Sequence, residues 1–129
     1  MEKSQSSIEF IILIGAVMFF LLAFFVLMQG NIADKTQEKQ NLLVQEIAKT
    51  IQNEINMASN SNNGYQREFI VQDSLENEEY ELNIVEEMIY VRTIDGKHAI
   101  ALPIPAVQGN IKKGVNEINK QNDTIYLNE

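Results

Sequence analysis

The chain contains no cysteine, which excludes disulfides, thiolate metal sites and thiol nucleophiles alike. It leaves the compartment open, because an extracellular domain can be held together by its core alone. His98 is the single histidine, too few for a multi-histidine metal site. Proline is absent before Pro103, so nothing forces a helix to break ahead of it. No nucleophile motif, phosphate-binding glycine loop or paired-carboxylate arrangement stands out, so neither catalysis nor a cofactor is expected. Positive charge is also scarce. The formal net charge of −8 lies almost wholly outside the apolar N-terminal segment, a surface that repels nucleic acid, and no Lys/Arg cluster follows that segment to hold anionic lipid. No segment repeats internally; residues 59–63, all Asn and Ser, come nearest to low complexity.

What the chain does have is an unbroken apolar run from Phe10 to Met28, without a charge, amide or hydroxyl. At about 1.5 Å per residue it spans ~28 Å, close to the hydrocarbon thickness of a bilayer. It reads as a transmembrane helix. A cleavable secretory signal fits less well: the run exceeds the usual ~7–15 residues of a signal core, Phe dominates it, and no small-x-small cleavage site follows at Met28-Gln29-Gly30-Asn31.

With 129 residues in all, the remainder makes one small domain. Leu43, Ile47, Ile51 and Ile55 recur every fourth residue with Val44 and Ala48 beside them, and Gln, Lys and Glu fill the rest. That is a helix with one narrow apolar stripe, whose ordinary role is packing against the soluble domain. One long helix is expected, bent or interrupted only where Gly30-Asn31 permits. Residues 59–64 form a turn-favouring linker. Beyond it the period becomes two: Phe69 and Val71 alternate with Ile70 and Gln72, and Tyr80, Leu82 and Ile84 with Glu81 and Asn83. Asp95-Gly96 predicts a type I′ hairpin between 88–94 and 97–102. A second hairpin is expected between 115–120 and 124–127, across Gln121-Asn122-Asp123. The predicted fold is therefore α+β: a long N-terminal helix, transmembrane over 5–29 and amphipathic over 30–58, then an antiparallel β-meander of four to six strands over 65–129, packed on the helix's C-terminal half.

Glu9 stands at the edge of the span, where burial of a carboxylate asks for a reason. A local one exists. Ser6-Ser7-Ile8-Glu9 fits Ser-x-x-Glu, a capping box in which Ser6 and Glu9 satisfy free N–H groups of the first turn, and the helix dipole favours an anion there.

The stretch Gln5-Ser6-Ser7-Ile8-Glu9-Phe10-Ile11-Ile12-Leu13 also resembles the start of archaeal type IV pilins bearing a class III signal peptide, whose pattern is Gln-x-Ser-x-Glu-x-x-x-Leu. Gln5, Ser7, Glu9 and Leu13 fill every specified position, behind a short leader with Lys3 and directly ahead of the span. The resemblance implies that a membrane-bound prepilin peptidase cuts between Ser4 and Gln5 on the cytoplasmic side, removing residues 1–4. It implies further partners: membrane lipid before assembly, then a pilus assembly platform and other subunits in a homopolymer, with the strand domain outside the cell. In such filaments the Glu is thought to pair with the α-amino group of a neighbouring subunit, which would set helix register.

Two alternatives share these features. A minor pilin, or a pilin-like component of a secretion or uptake machine, has the same sequence plan, and a single-pass membrane protein with a binding domain needs the span without the motif. Other sites are weaker. His98 shares a strand face with Ile100 and Leu102 and reads as partly buried. Glu76-Asn77-Glu78-Glu79 and Glu86-Glu87 read as solvated turns, lacking the glycine and spacing of a calcium loop. Asn122-Asp123-Thr124 is an N-glycosylation sequon expected at a hairpin tip.

Overall fold

The computed structural model describes residues 2–76 and 78–129, with side chains from Gln5 onward. The chain divides into two compact units, one up to Glu38 and one from Lys39 to Glu129. A single helix, α1 (Glu2–Asn60), supplies all of the first unit and the opening element of the second. Gly30 lies within it with open space where a Cβ would sit, so the glycine neither ends the helix nor is required by packing.

In the second unit the predicted stripe is the core except at Leu43, which is only partly buried and packs against its edge. Val44, Ile47, Ala48, Ile51, Ile55 and Ala58 are all buried, each covered Val or Ile side chain contributing about 1.5–3 kcal/mol by removal from water and each alanine methyl less. They join Phe69, Val71, Tyr80, Ile89, Val91, Ile118, Ile125 and Leu127 in one hydrophobic cluster. Helix and strands therefore share a core, giving the expected α+β fold.

Seven strands lie among the described residues: β1 (Gln66–Val71), β2 (Tyr80–Val85), β3 (Met88–Thr93), β4 (Ala99–Pro103), β5 (Val107–Gly109), β6 (Gly114–Gln121) and β7 (Thr124–Leu127). The meander description holds for β2-β3-β4, an antiparallel sheet of three. The others form a second sheet in the order β1-β6-β7-β5, in which β5 pairs with β7 in parallel. Proline accounts for this change of path. Pro103 and Pro105 flank Ile104, cannot donate to a ladder, and take the chain out of the first sheet before it re-enters in the second.

Turn chemistry differs from expectation in one place. The type I′ turn sits at Asn122-Asp123, both with positive φ (50° and 61°), between the paired residues Gln121 and Thr124. Asp95-Gly96 does join β3 to β4, but through a longer loop, with only Gly96 at positive φ (73°). The Asp95 carboxylate is the reason: it accepts from the Thr93 hydroxyl at 2.5 Å and the Lys97 N–H at 3.0 Å, closing an Asx-type turn. Those two donors also hold the Asp95 carboxyl below the usual aspartate range, the Thr93 hydroxyl contributing most.

The helix stops at Asn60, two residues beyond the expected end, and the chain turns through residues 61–64. Its last carbonyls find donors: Ser61 Oγ reaches Met57 O at 2.6 Å, and the Lys120 ammonium from β6 reaches Ser59 O at 2.7 Å and Ser61 O at 2.9 Å. The helix has no basic residue of its own in its last turn, so Lys120 supplies the cation favoured there.

Candidate processing and assembly segment

Gln5, Ser7, Glu9 and Leu13 all lie on α1 and are all exposed. At 100° per residue, Gln5, Glu9 and Leu13 fall on one face, successive members one turn apart and about 6 Å along the axis, while Ser7 points elsewhere. Among the described residues Glu9 makes no ion pair. The helix already runs from Glu2, so Ser6 stands inside it and not at its start. The capping-box expectation for Ser6 and Glu9 is therefore corrected: N–H groups at these positions are used within the helix, and the carboxylate has no orphan donor to satisfy in the uncut chain. The Ser4–Gln5 bond likewise falls within helical backbone.

Over Gln5–Asn60 the helix is long enough, and in its most apolar window apolar enough, to cross a membrane. None of that window is buried by the chain itself; Phe10, Phe19, Phe20, Phe24 and Phe25 stand around it with roughly three-fifths or more of their surface exposed. Phe19 and Phe20 meet edge to face, ring centroids 6.1 Å apart. Between Phe20 and Phe24 the small Ala23 leaves a shallow apolar hollow bounded by Val17, Leu21 and Leu27, a shape that accepts a side chain from another helix or a lipid tail.

The remaining candidates resolve as structure. His98 directly precedes β4 and is half-buried, as are Ile100 and Leu102. Its backbone N–H and C=O both engage Thr93, and Nε2 is buried without a hydrogen bond. No group of three or more metal-ligating residues occurs among the described residues. Glu76 pairs with Lys39 at 2.7 Å, and Leu75 and Glu78 form a backbone bridge; Asn77, within the same acidic stretch, lies outside the described residues. Glu86 and Glu87 make the β2–β3 turn, with Glu86 at positive φ (56°). Asn122 is exposed at the tip of the β6–β7 hairpin, where the sequon predicts it. Asp123 N–H is held by Asn63 Oδ1 at 2.8 Å.

Sequence patterning gave no sign of two polar ties in the head. Glu54, buried on α1, faces Arg67 of β1 with Nε–Oε2 at 3.4 Å, and the Gln52 amide donates to Pro103 O at 2.8 Å. The Gln52–Pro103 pair is 51 residues apart in sequence, and for both pairs only the partner's position in the fold reveals the contact. Compared with protein-family models, curated proteins and solved structures, the chain matches none.

Proposed function

We propose that this chain is a structural subunit of an archaeal type IV pilus-like surface filament. The observation that carries the reading is the motif Gln5, Ser7, Glu9, Leu13 set directly ahead of the Phe10–Met28 run. A membrane-bound prepilin peptidase cuts between Ser4 and Gln5 on the cytoplasmic side, the apolar helix holds the subunit in the membrane, and an assembly platform moves it into a filament with the strand domain outside the cell.

The physics of Glu9 supports this. A carboxylate at a bilayer centre costs about 2.5–3.5 kcal/mol and less near the headgroups, and in the uncut chain it is not consumed by a cap. Cutting at Gln5 creates a new cation, the α-ammonium. Two unit charges 4 Å apart attract by ~1 kcal/mol in water and ~4 kcal/mol at an effective dielectric of 20, so pairing between neighbouring subunits gains as the bundle excludes water. An offset that leaves both charges unpaired is penalised, which fixes register.

The test is N-terminal mass spectrometry after co-expression with an archaeal prepilin peptidase, against a catalytically dead control. A chain beginning at Gln5 only with active enzyme is the expected result. Retention of Met1 to Ser4 under both conditions removes the reading and leaves a membrane-anchored binding domain. Glu9→Gln is expected to insert normally and assemble poorly; filaments of normal yield and regularity would show that the charge pairing is not needed.

A further inference from the structure

Cutting at Gln5 exposes more than an amine. An N-terminal glutamine carries its own electrophile, the side-chain amide, within ring-closing reach of the α-nitrogen. We infer that Gln5 is a self-modifying terminus: in mature subunits left unassembled it closes to a pyroglutamyl lactam, whereas in the filament the amine survives because a carboxylate holds it protonated. This rests on the processing reading above and concerns the fate of the end it creates.

The step needs no co-reactant. The neutral α-nitrogen attacks Gln5 Cδ, a N–Cδ bond forms, the Cδ–Nε2 bond breaks, and Nε2 leaves as ammonia carrying a proton from the amine. Only the unprotonated amine is nucleophilic. With an ordinary pKa of about 7.7–8.0, a terminal amine is neutral in a sizeable minority of molecules near neutral pH, so a waiting subunit reacts steadily.

Glu9 decides the rate. It lies one turn from Gln5 on the same face of α1, both are exposed, and among the described residues the carboxylate has no other partner. Within one solvated subunit the Glu9 carboxylate lies near the new helix N-terminus in high dielectric, a weak attraction that slows closure by about a factor of two. Between subunits in a bundle that excludes water, the same carboxylate against a neighbour's amine lowers its neutral fraction by about tenfold or more. The lactam carries no charge and one N–H, so a cyclised subunit cannot neutralise a neighbour's Glu9. Closure thus withdraws subunits that have waited too long.

The experiment separates sheared filaments from the membrane pool of cells with active peptidase, stops new synthesis, and follows the N-terminal peptide mass with time. The expected result is a terminus lighter by one ammonia accumulating in the membrane pool, at about tenfold or more the filament fraction, with Glu9→Gln raising closure in whatever assembles and Glu9→Asp restoring protection. Equal lactam fractions in both pools, or a membrane pool that keeps full-mass Gln5 throughout, would overturn the inference while leaving processing intact. A chain still starting at Met1 would overturn both, and is distinguished by its mass.

Discussion

Asn128 donates from Nδ2 to Oδ1 of Asn116 at 2.8 Å, tying the residue after β7 to a fully buried amide on β6. Asn116 Oδ1 also accepts from Lys112 N–H at 3.0 Å, and its Nδ2 donates to Lys112 O at 2.7 Å and Gly114 O at 3.1 Å. Asn128 completes the exchange by accepting Glu117 N–H at 3.0 Å through Oδ1 and donating to Asn110 O at 2.8 Å. Its positive φ (56°) aims it there, a conformation asparagine tolerates better than most residues. Asn116→Leu keeps the branched shape, adds bulk and strands these partners, so it is expected to cost about 2–4 kcal/mol. In urea unfolding of the chain in detergent micelles, Asn128→Ala should cost less, and the double variant should fall short of the sum because the two share a network.

Gly109 permits the parallel β5–β7 pairing. Its φ is +95°, and a Cβ there would lie 2.0 Å from Leu127 O, a backbone atom that cannot move aside alone. Gly109→Ala is expected to destabilise by about 3 kcal/mol or more through combined strain and clash. Gly64→Ala, also at positive φ but with open space around it, should cost about 1–2 kcal/mol. Equal losses in thermal melts would show that the clash at Gly109 is relieved by strand movement.

Tyr80 makes the head sensitive to alkali. Burial, and secondarily the Asp73 carboxylate, push its phenol up to about 12 from the ordinary 10.0. The hydroxyl donates to Gln72 O, and the Lys113 ammonium sits 4.4 Å from the ring centroid. A folded pKa above the unfolded one means that the folded state retains a proton the unfolded state releases. The contribution is fully present below pH 10 and is lost as pH rises towards 12. Tyr80→Phe should be less stable at pH 8 and lose this slope, so the gap between the two proteins narrows above pH 10. A constant gap would assign the difference to packing and the hydrogen bond alone.

Lys120 caps a helix to which it does not belong. Lys120→Met retains the aliphatic stem and removes both bonds to Ser59 O and Ser61 O, with an expected cost of about 1–2 kcal/mol. Hydrogen exchange should localise the effect: amides 58–65 lose protection while those of β3 stay unchanged.

Much of the fold was legible because burial has a period. Ile47, Ile51 and Ile55 at fourth positions, and Phe69 with Val71 at second positions, point the same way in sequence and structure. Sheet order was not legible, since pairing β1 with β6 across the whole head leaves no local mark on either strand. Asp95 misled because Asp-Gly carries two chemistries: tolerance of positive φ, and a carboxylate that closes an Asx turn at negative φ. Two strong donors beside it, Thr93 and Lys97, favoured the second. For the candidate segment, the resemblance picked out Gln5, Ser7, Glu9 and Leu13, and the helix puts three of them, Gln5, Glu9 and Leu13, on one face. The helix starting at Glu2 then removed the capping role that Ser6 and Glu9 suggest in isolation.

Lys120 lies sixty-one residues after the carbonyl it secures at Ser59, and it arrives on β6, the strand that also closes β1 on one side and β7 on the other. During synthesis the amphipathic helix therefore leaves the ribosome with its final turn unfinished and its apolar stripe uncovered. The stripe can begin to be covered once Phe69 and Val71 of β1 have emerged, but the final turn waits for β6. The end of the helix is therefore completed late, by a strand that only a nearly finished chain can supply.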